Sequence, residues 1–286
     1  MTDQQADTQL DRYVRTHYSP LLHNVNPNGP HLCAVCRLPL NPQEPHERCP
    51  QCEGHVRQAA AAGAALADDV AFLTYAVEGP SVPTRAPALS RRIAAGRQVY
   101  SVLYGYKNPD RGRMHRSFND MFAWVTWVLR HHANCVGAMG ARPETVSWQW
   151  ATVPSVRSIR GGDEHPLHRI VRQALSGRSE AVLTVTDAGL GAGQKTRHYD
   201  PAMFRAEVKA DRVLLVDDSW ATGANVQSAA SALKRAGARH VAALVVGRLL
   251  RPAGWPPALA FLTKHAVLDQ PFDWSLCPWT GVPHSS

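Results

Sequence analysis

Missing from this sequence is any apolar run long enough to cross a bilayer, which takes about 20 residues. The longest weakly apolar stretch, AAAAGAALA, is too short and too rich in alanine. The opening residues, MTDQQADTQL, lack the basic-then-apolar pattern of a secretory leader. A soluble, cytoplasmic protein without membrane contact is therefore expected. Acidic residues are the minority, 23 against 31 Lys and Arg, which leaves a net charge of +8. That balance suits anionic partners, phosphorylated small molecules, nucleic acid or both; a basic surface that merely keeps the protein soluble is the alternative, and composition alone does not separate them. With 44% hydrophobic residues in 286, one large domain, or one domain plus a small module, can form a core. An oligomer is compatible with this composition. No internal repeat is visible.

Cysteines are few but not scattered. Cys33, Cys36, Cys49 and Cys52 make two CxxC pairs twelve residues apart, while Cys135 and Cys277 stand alone. A reducing cytosol argues against disulfides. Two CxxC pairs at this spacing read as a structural Zn²⁺ site of four thiolates; the alternative is a redox dithiol. Gly54 is the residue expected to supply a turn with positive φ. His31, His46 and His55 flank the module and are expected at the surface.

The remaining pattern divides the chain into segments. Residues 1–30 read as a flexible N-terminal arm, with one helical turn near LDRYVRTHY. Residues 31–56 hold the cysteine module. Residues 57–90 connect through an Ala-rich helix, the strand VAFLTYAV and a Pro-rich linker. Residues 91–286 form the main domain. There, strands are predicted at 147–153, 181–186, 212–216 and from 240, and helices at 91–107, from Ser117, at 165–177 and at 224–237. The stretch from Asp187 to about Asp211 reads as one long polar loop. Alternating strands and helices, with several strands apolar on both faces, predict an α/β fold. Its mostly parallel sheet would be flanked by helices, with ligands at the carboxyl ends of the strands.

One such end is VLLVDDSWATG, residues 213–223. The loop runs into a helix N-terminus, whose unpaired amides bind anions. Phosphate would sit on Ser219, Trp220, Ala221, Thr222, Gly223 and Ala224. Asp217 and Asp218 repel phosphate but suit hydroxyls or a developing cation. A phosphorylated sugar carries both kinds of group.

An apolar strand, two acidic residues, a short variable stretch and Thr-Gly resemble the signature of the type I phosphoribosyltransferases. With four cysteines ahead of it, the chain resembles the ComF family of competence-related proteins. VYSVLYGYKNPD and ATVPSVRSIRGGDEHPLHRI add weaker similarity. The resemblance implies that Asp217 and Asp218 hold the ribose hydroxyls of phosphoribosyl pyrophosphate (PRPP) and act in catalysis. Residues 219–223 would take its 5-phosphate, with Mg²⁺ held mainly by diphosphate and hydroxyls. The implied reaction transfers the 5-phosphoribosyl group to an unidentified nitrogen acceptor. The alternative is a PRPP sensor or single-stranded-DNA-binding protein without turnover.

Arg157, Arg160 and Gly161 could face the diphosphate, against a plain solvated loop. GLGAGQKT is not a P-loop, because Gln194 separates Gly193 from Lys195. By resemblance it occupies the place of a lid, with Lys195 and Arg197 over the diphosphate; a plain loop is the alternative. Arg91, Arg92, Arg97, Lys107, Arg111, Arg113 and Arg116 are interleaved with Tyr100, Tyr104 and Tyr106. Such a mix binds single strands, or it is a core helix with a charged outer face.

Overall fold

The structure, a computed structural model, describes residues 3–29, 31–40, 46–78, 87–107, 113–135, 147–155, 164–187, 198–251 and 272–283. The chain runs α1 (Asp3–Tyr18), α2 (Pro50–Ala61), β1 (Asp69–Val77), α3 (Pro87–Gly105), α4 (Arg113–His132), β2 (Trp148–Thr152) and α5 (Pro166–Ala174). It continues as β3 (Val182–Val185), β4 (Phe204–Glu207), β5 (Arg212–Trp220), α6 (Ala224–Arg235) and β6 (His240–Leu250).

Four strands form a parallel sheet in the order β1-β6-β5-β2. Val216 pairs with Thr152 on one side and Leu244 on the other. All four carboxyl ends therefore meet at one edge of the sheet. Both faces are buried, as the near-continuous apolar strands require. Leu214, Val216, Ala242 and Leu244 face a layer of α1, α3, α4 and α5. Val213, Leu215, Val241 and Ala243 face α6, the cysteine module and the β3–β4 pair. Alternation along each strand sends neighbouring side chains into the two layers. Because α5 follows β2 and α6 follows β5 on opposite faces, the segments leaving these two neighbouring strands diverge. A crevice opens between them.

Small residues fit α6 to the sheet. Ala229, Ala230 and Ala232 are buried, and so are Gln227, Ser228 and Ser231. Those polar groups are all bonded. Gln227 accepts from the Ala67 amide (3.0 Å) and Ser228 from the Asp200 amide (2.9 Å), while Ser231 donates to the Ala65 carbonyl (2.6 Å). The helix thus fixes the loops on either side of it.

Several expectations need correcting. The N-terminal segment is not an arm. It is a 16-residue helix that buries Val14 and Tyr18 against α4. Tyr18 meets Trp124 edge-on at 5.5 Å and donates to Asp120 at 2.7 Å. Trp127 donates to Asp11, and Arg130 pairs with Asp7. The alternation of charge with apolar residues in QLDRYVRTHY hid a contact whose partner lies a hundred residues away. Ser117 caps nothing, since α4 begins at Arg113. The Ala-rich helix starts earlier than expected, at Pro50 inside the cysteine module. β3 lies outside the parallel sheet and pairs antiparallel with β4, inside the stretch expected to be a loop. FRAE was too short and too charged to read as a strand. Of the Pro-rich linker expected at 78–90, α3 already takes residues from Pro87, and 79–86 lie outside the described residues.

Truncating Tyr18 to Ala removes an aromatic core contact and a buried hydrogen bond. It is expected to cost about 3–5 kcal/mol in urea unfolding. A mobile arm would leave the midpoint unchanged.

Candidate functional site

β5 does not stop at the two aspartates. It continues through Asp217, Asp218 and Ser219 to Trp220, paired with β6 up to Trp220–Arg248. The loop before α6 shrinks to Ala221, Thr222 and Gly223. Trp220 turns inward and is 1% exposed, edge-on to Phe72 at 5.5 Å. Gly223, at φ +84°, lies on the Trp220 ring, where a Cβ would come within 2.0 Å of the indole. Both steric room and the left-handed backbone demand glycine here. Gly223 caps α6, so the first amides of the helix face the crevice.

A cavity of about 260 Å³ occupies that crevice. Asp217, Asp218, Ser219, Ala221, Thr222, Gly223 and Ala224 line it; of the expected segment 217–224, Trp220 alone does not. Across from them stand Tyr104, Lys107, Pro154, Ser155 and His165. Arg157, Arg160, Gly161, Lys195 and Arg197 lie outside the described residues.

The two carboxylates differ. Asp218 is buried and bonded on both oxygens. Oδ1 accepts from Ser219 Oγ at 2.7 Å. Oδ2 takes Lys107 Nζ at 2.8 Å and the Tyr106 hydroxyl. Burial alone would raise its pKa, but Lys107 and these hydrogen bonds hold it below the usual carboxylate range. Among the described residues, Asp217 accepts one hydrogen bond, from the Asp218 amide at 2.9 Å. Burial, reinforced by the neighbouring Asp218 charge, pushes its pKa well up. Lys107, partly desolvated, is nevertheless raised by the Asp218 charge. Burial lowers His165, which leaves a neutral imidazole at the rim.

Sequence reasoning missed this division of labour. Tyr106 read as a stacking surface, yet it is fully buried and reaches Asp218 from the end of α3. Of the interleaved tyrosines, Tyr100 and Tyr104 stack at 4.5 Å, and Tyr104 is 51% exposed. Arg91, Arg92 and Arg111 belong to residues whose side chains are outside the description.

No protein-family model, curated protein or solved structure matches this chain. The functional reading therefore rests on the cleft and the cysteines themselves.

The four cysteines come together as expected. Cys33, Cys36, Cys49 and Cys52 are buried, and their sulfurs all lie within 4.8 Å of one another. The cluster could hold a metal such as zinc. Amides point at the sulfurs, from Cys49 to Cys33 (3.3 Å) and from Cys52 to Cys49 (3.5 Å). Hydrogen bonds within the cluster push the Cys33 thiol down and the Cys49 and Cys52 thiols up. The positive φ of the first turn falls at Arg37 (+56°), not at Gly54, which sits within α2. Of the flanking histidines, His31 and His46 are exposed, but His55 is buried and bonded to Gln51 at 3.1 Å.

Arg248 connects this cluster to the cleft. Its buried guanidinium donates to the Cys36 carbonyl (2.6 Å), the Cys36 sulfur (3.4 Å) and the Trp220 carbonyl (3.0 Å). Among the described residues no carboxylate pairs with it. A buried cation needs a counter-charge, and thiolates around a metal would provide it.

Two outcomes follow from these groups. A carboxyl whose folded pKa is raised costs stability as pH rises above its unfolded value of about 3.9. Asp217→Asn should therefore raise Tm at pH 7, with the gain fading as pH approaches 4; an equal gain at both would refute the assignment. Arg248→Met should lower zinc retained against a chelator and cost about 3–5 kcal/mol, the range for breaking a buried charge pair.

Proposed function

We propose that the cleft binds PRPP with Mg²⁺ and that the protein transfers its 5-phosphoribosyl group to a nitrogen nucleophile. The observation that carries this reading is one crevice with two opposite chemistries side by side. The α6 amides with Thr222 suit a phosphate. Asp217, whose side chain is not committed to a cation, suits the ribose hydroxyls.

In the reaction, the bond from the anomeric carbon to diphosphate oxygen breaks and the pair leaves with diphosphate. The nitrogen lone pair forms the new bond, and the nitrogen then loses a proton. The anomeric carbon becomes cationic on the way, and the adjacent carboxylates stabilise it. Magnesium, when bound, neutralises the leaving diphosphate. Asp218 has a second role as anchor: it fixes Lys107 at the cleft wall, where the ammonium can meet a phosphate oxygen. His165, neutral at pH 7, is a group able to accept the proton that the nitrogen gives up.

Tyr106 is part of the core and so gives no support to single-strand binding. Tyr104, exposed at the cleft wall and tilted against Tyr100, remains as one aromatic face there. A planar acceptor base suits that surface. A protein that binds PRPP without turnover would share the sugar site and differ only in the absence of product.

Isothermal titration with PRPP and Mg²⁺ should show saturable binding to the wild type. Asp217→Asn/Asp218→Asn should weaken it by about tenfold or more, that is about 1.4 kcal/mol. Equal heats for the two proteins would sink the proposal. Diphosphate release across a panel of bases, ammonia and glutamine then separates a transferase from a sensor.

A further inference from the structure

A second cluster of metal-binding side chains shares no residue with the first. His132, at the end of α4, Cys135 just beyond it, and Cys277 are all buried. Their ligand atoms lie within 4.8 Å of one another. Cys135 Sγ is 3.8 Å from His132 Nδ1. Ligands of a tetrahedral zinc at 2.0–2.3 Å stand roughly 3.3–3.8 Å apart, so the spacing needs little adjustment.

The backbone around Cys277 supplies an independent observation. Residues 276–283, LCPWTGVP, fold like residues 32–39, LCAVCRLP. Leu32 bridges Pro39, and Leu276 bridges Pro283. The Cys33 amide donates to Leu38 at 2.8 Å, and the Cys277 amide to Val282 at 3.0 Å. The Arg37 amide returns to the Cys33 carbonyl at 3.0 Å, and the Gly281 amide to the Cys277 carbonyl at 2.8 Å. Arg37 and Gly281 share a positive φ, +56° and +71°. The Cys36 amide points at the Cys33 sulfur, and the Thr280 amide points at the Cys277 sulfur. This is the same knuckle twice, with Thr280 in the place of Cys36. The repeat escapes the sequence because only leucine, cysteine and proline are common to both copies.

A knuckle of this shape exists to aim amides at a thiolate, and a thiolate buried beside another cysteine and a histidine is a metal ligand set. Trp279 of the knuckle also donates to the His132 carbonyl, at 3.3 Å, which holds the loop against the end of α4. We propose that His132, Cys135 and Cys277 bind a second thiophilic divalent cation, of the zinc class, which ties residues 272–283 to α4. Three protein ligands leave a fourth position for water or an exogenous donor. The site is independent of the PRPP reading and shares no residue with the cleft or with the four-cysteine cluster.

The test uses the full chain, produced with zinc and measured by elemental analysis. Two zinc ions per chain are expected, one for each cluster. Cys277→Ser and His132→Ala should each lower this to one, and Cys49→Ser/Cys52→Ser should keep one. A wild type with one zinc, unchanged in Cys277→Ser, would overturn the proposal. So would a wild-type mass that rises by two hydrogens on reduction, the mark of a Cys135–Cys277 disulfide. Because Cys277→Ser could unfold, Co²⁺ titration of Cys49→Ser/Cys52→Ser, which leaves the first cluster two thiolates, offers a second reading. A thiolate-to-cobalt absorption band should survive there, and its absence would equally overturn the site.

Discussion

A buried guanidinium joins the two halves of this molecule. Arg248 sits near the end of β6, beneath the loop that opens α6, and donates at once to the cysteine module and to the Trp220 carbonyl. Such a group is costly to desolvate and becomes tolerable only when every N–H finds a partner. Its partners come from residues 36 and 220, far apart in the chain. The cysteine module is therefore fastened to the floor of the cleft rather than tethered beside it. Any charge on the cluster therefore lies close to the loop 221–223.

Above that floor, shape is set by Trp220 and Gly223. The indole fills the space under the loop, and the glycine lets the backbone lie on it. The bulky Trp220 does not fill the cleft, because its side chain points into the core. The cleft receives instead the small Ala221 and the hydroxyl of Thr222. The acidic pair is likewise split by its surroundings. One carboxylate is locked by Lys107, Tyr106 and Ser219, and the other keeps its outer oxygen for the cleft. Adjacent aspartates along a strand point to opposite sides, and this alone puts them in different environments.

The parallel sheet was legible because its strands are apolar on both faces and alternate with helices. VLLVDD, HVAALVV and the Ala-rich α6 carry that signal within a few residues. The four cysteines were legible because zinc spacing is local. Features made by distant partners were not. Nothing near Tyr106 says that its hydroxyl meets Asp218, 112 residues on. Nothing near α1 announces Trp124. β4 was lost for a different reason: its four residues alternate between buried and solvent-facing, and two of them are charged. Propensity reads such a segment as loop until a pairing strand is supplied.

The segment 272–283 seals the start of the chain. Asn24 and Asp273 exchange hydrogen bonds, Asn28 donates to the Thr280 carbonyl, and Phe272 and Trp274 bond to Ser19. These contacts span about 250 residues, so their loop-closure cost is nearly the largest the chain can present. During synthesis α1 leaves the ribosome before the sheet, yet the covering for residues 19–28 arrives only after β6 is complete. Residues 19–28 must wait, partly uncovered, while the whole sheet is made. That interval is when a chaperone would find it.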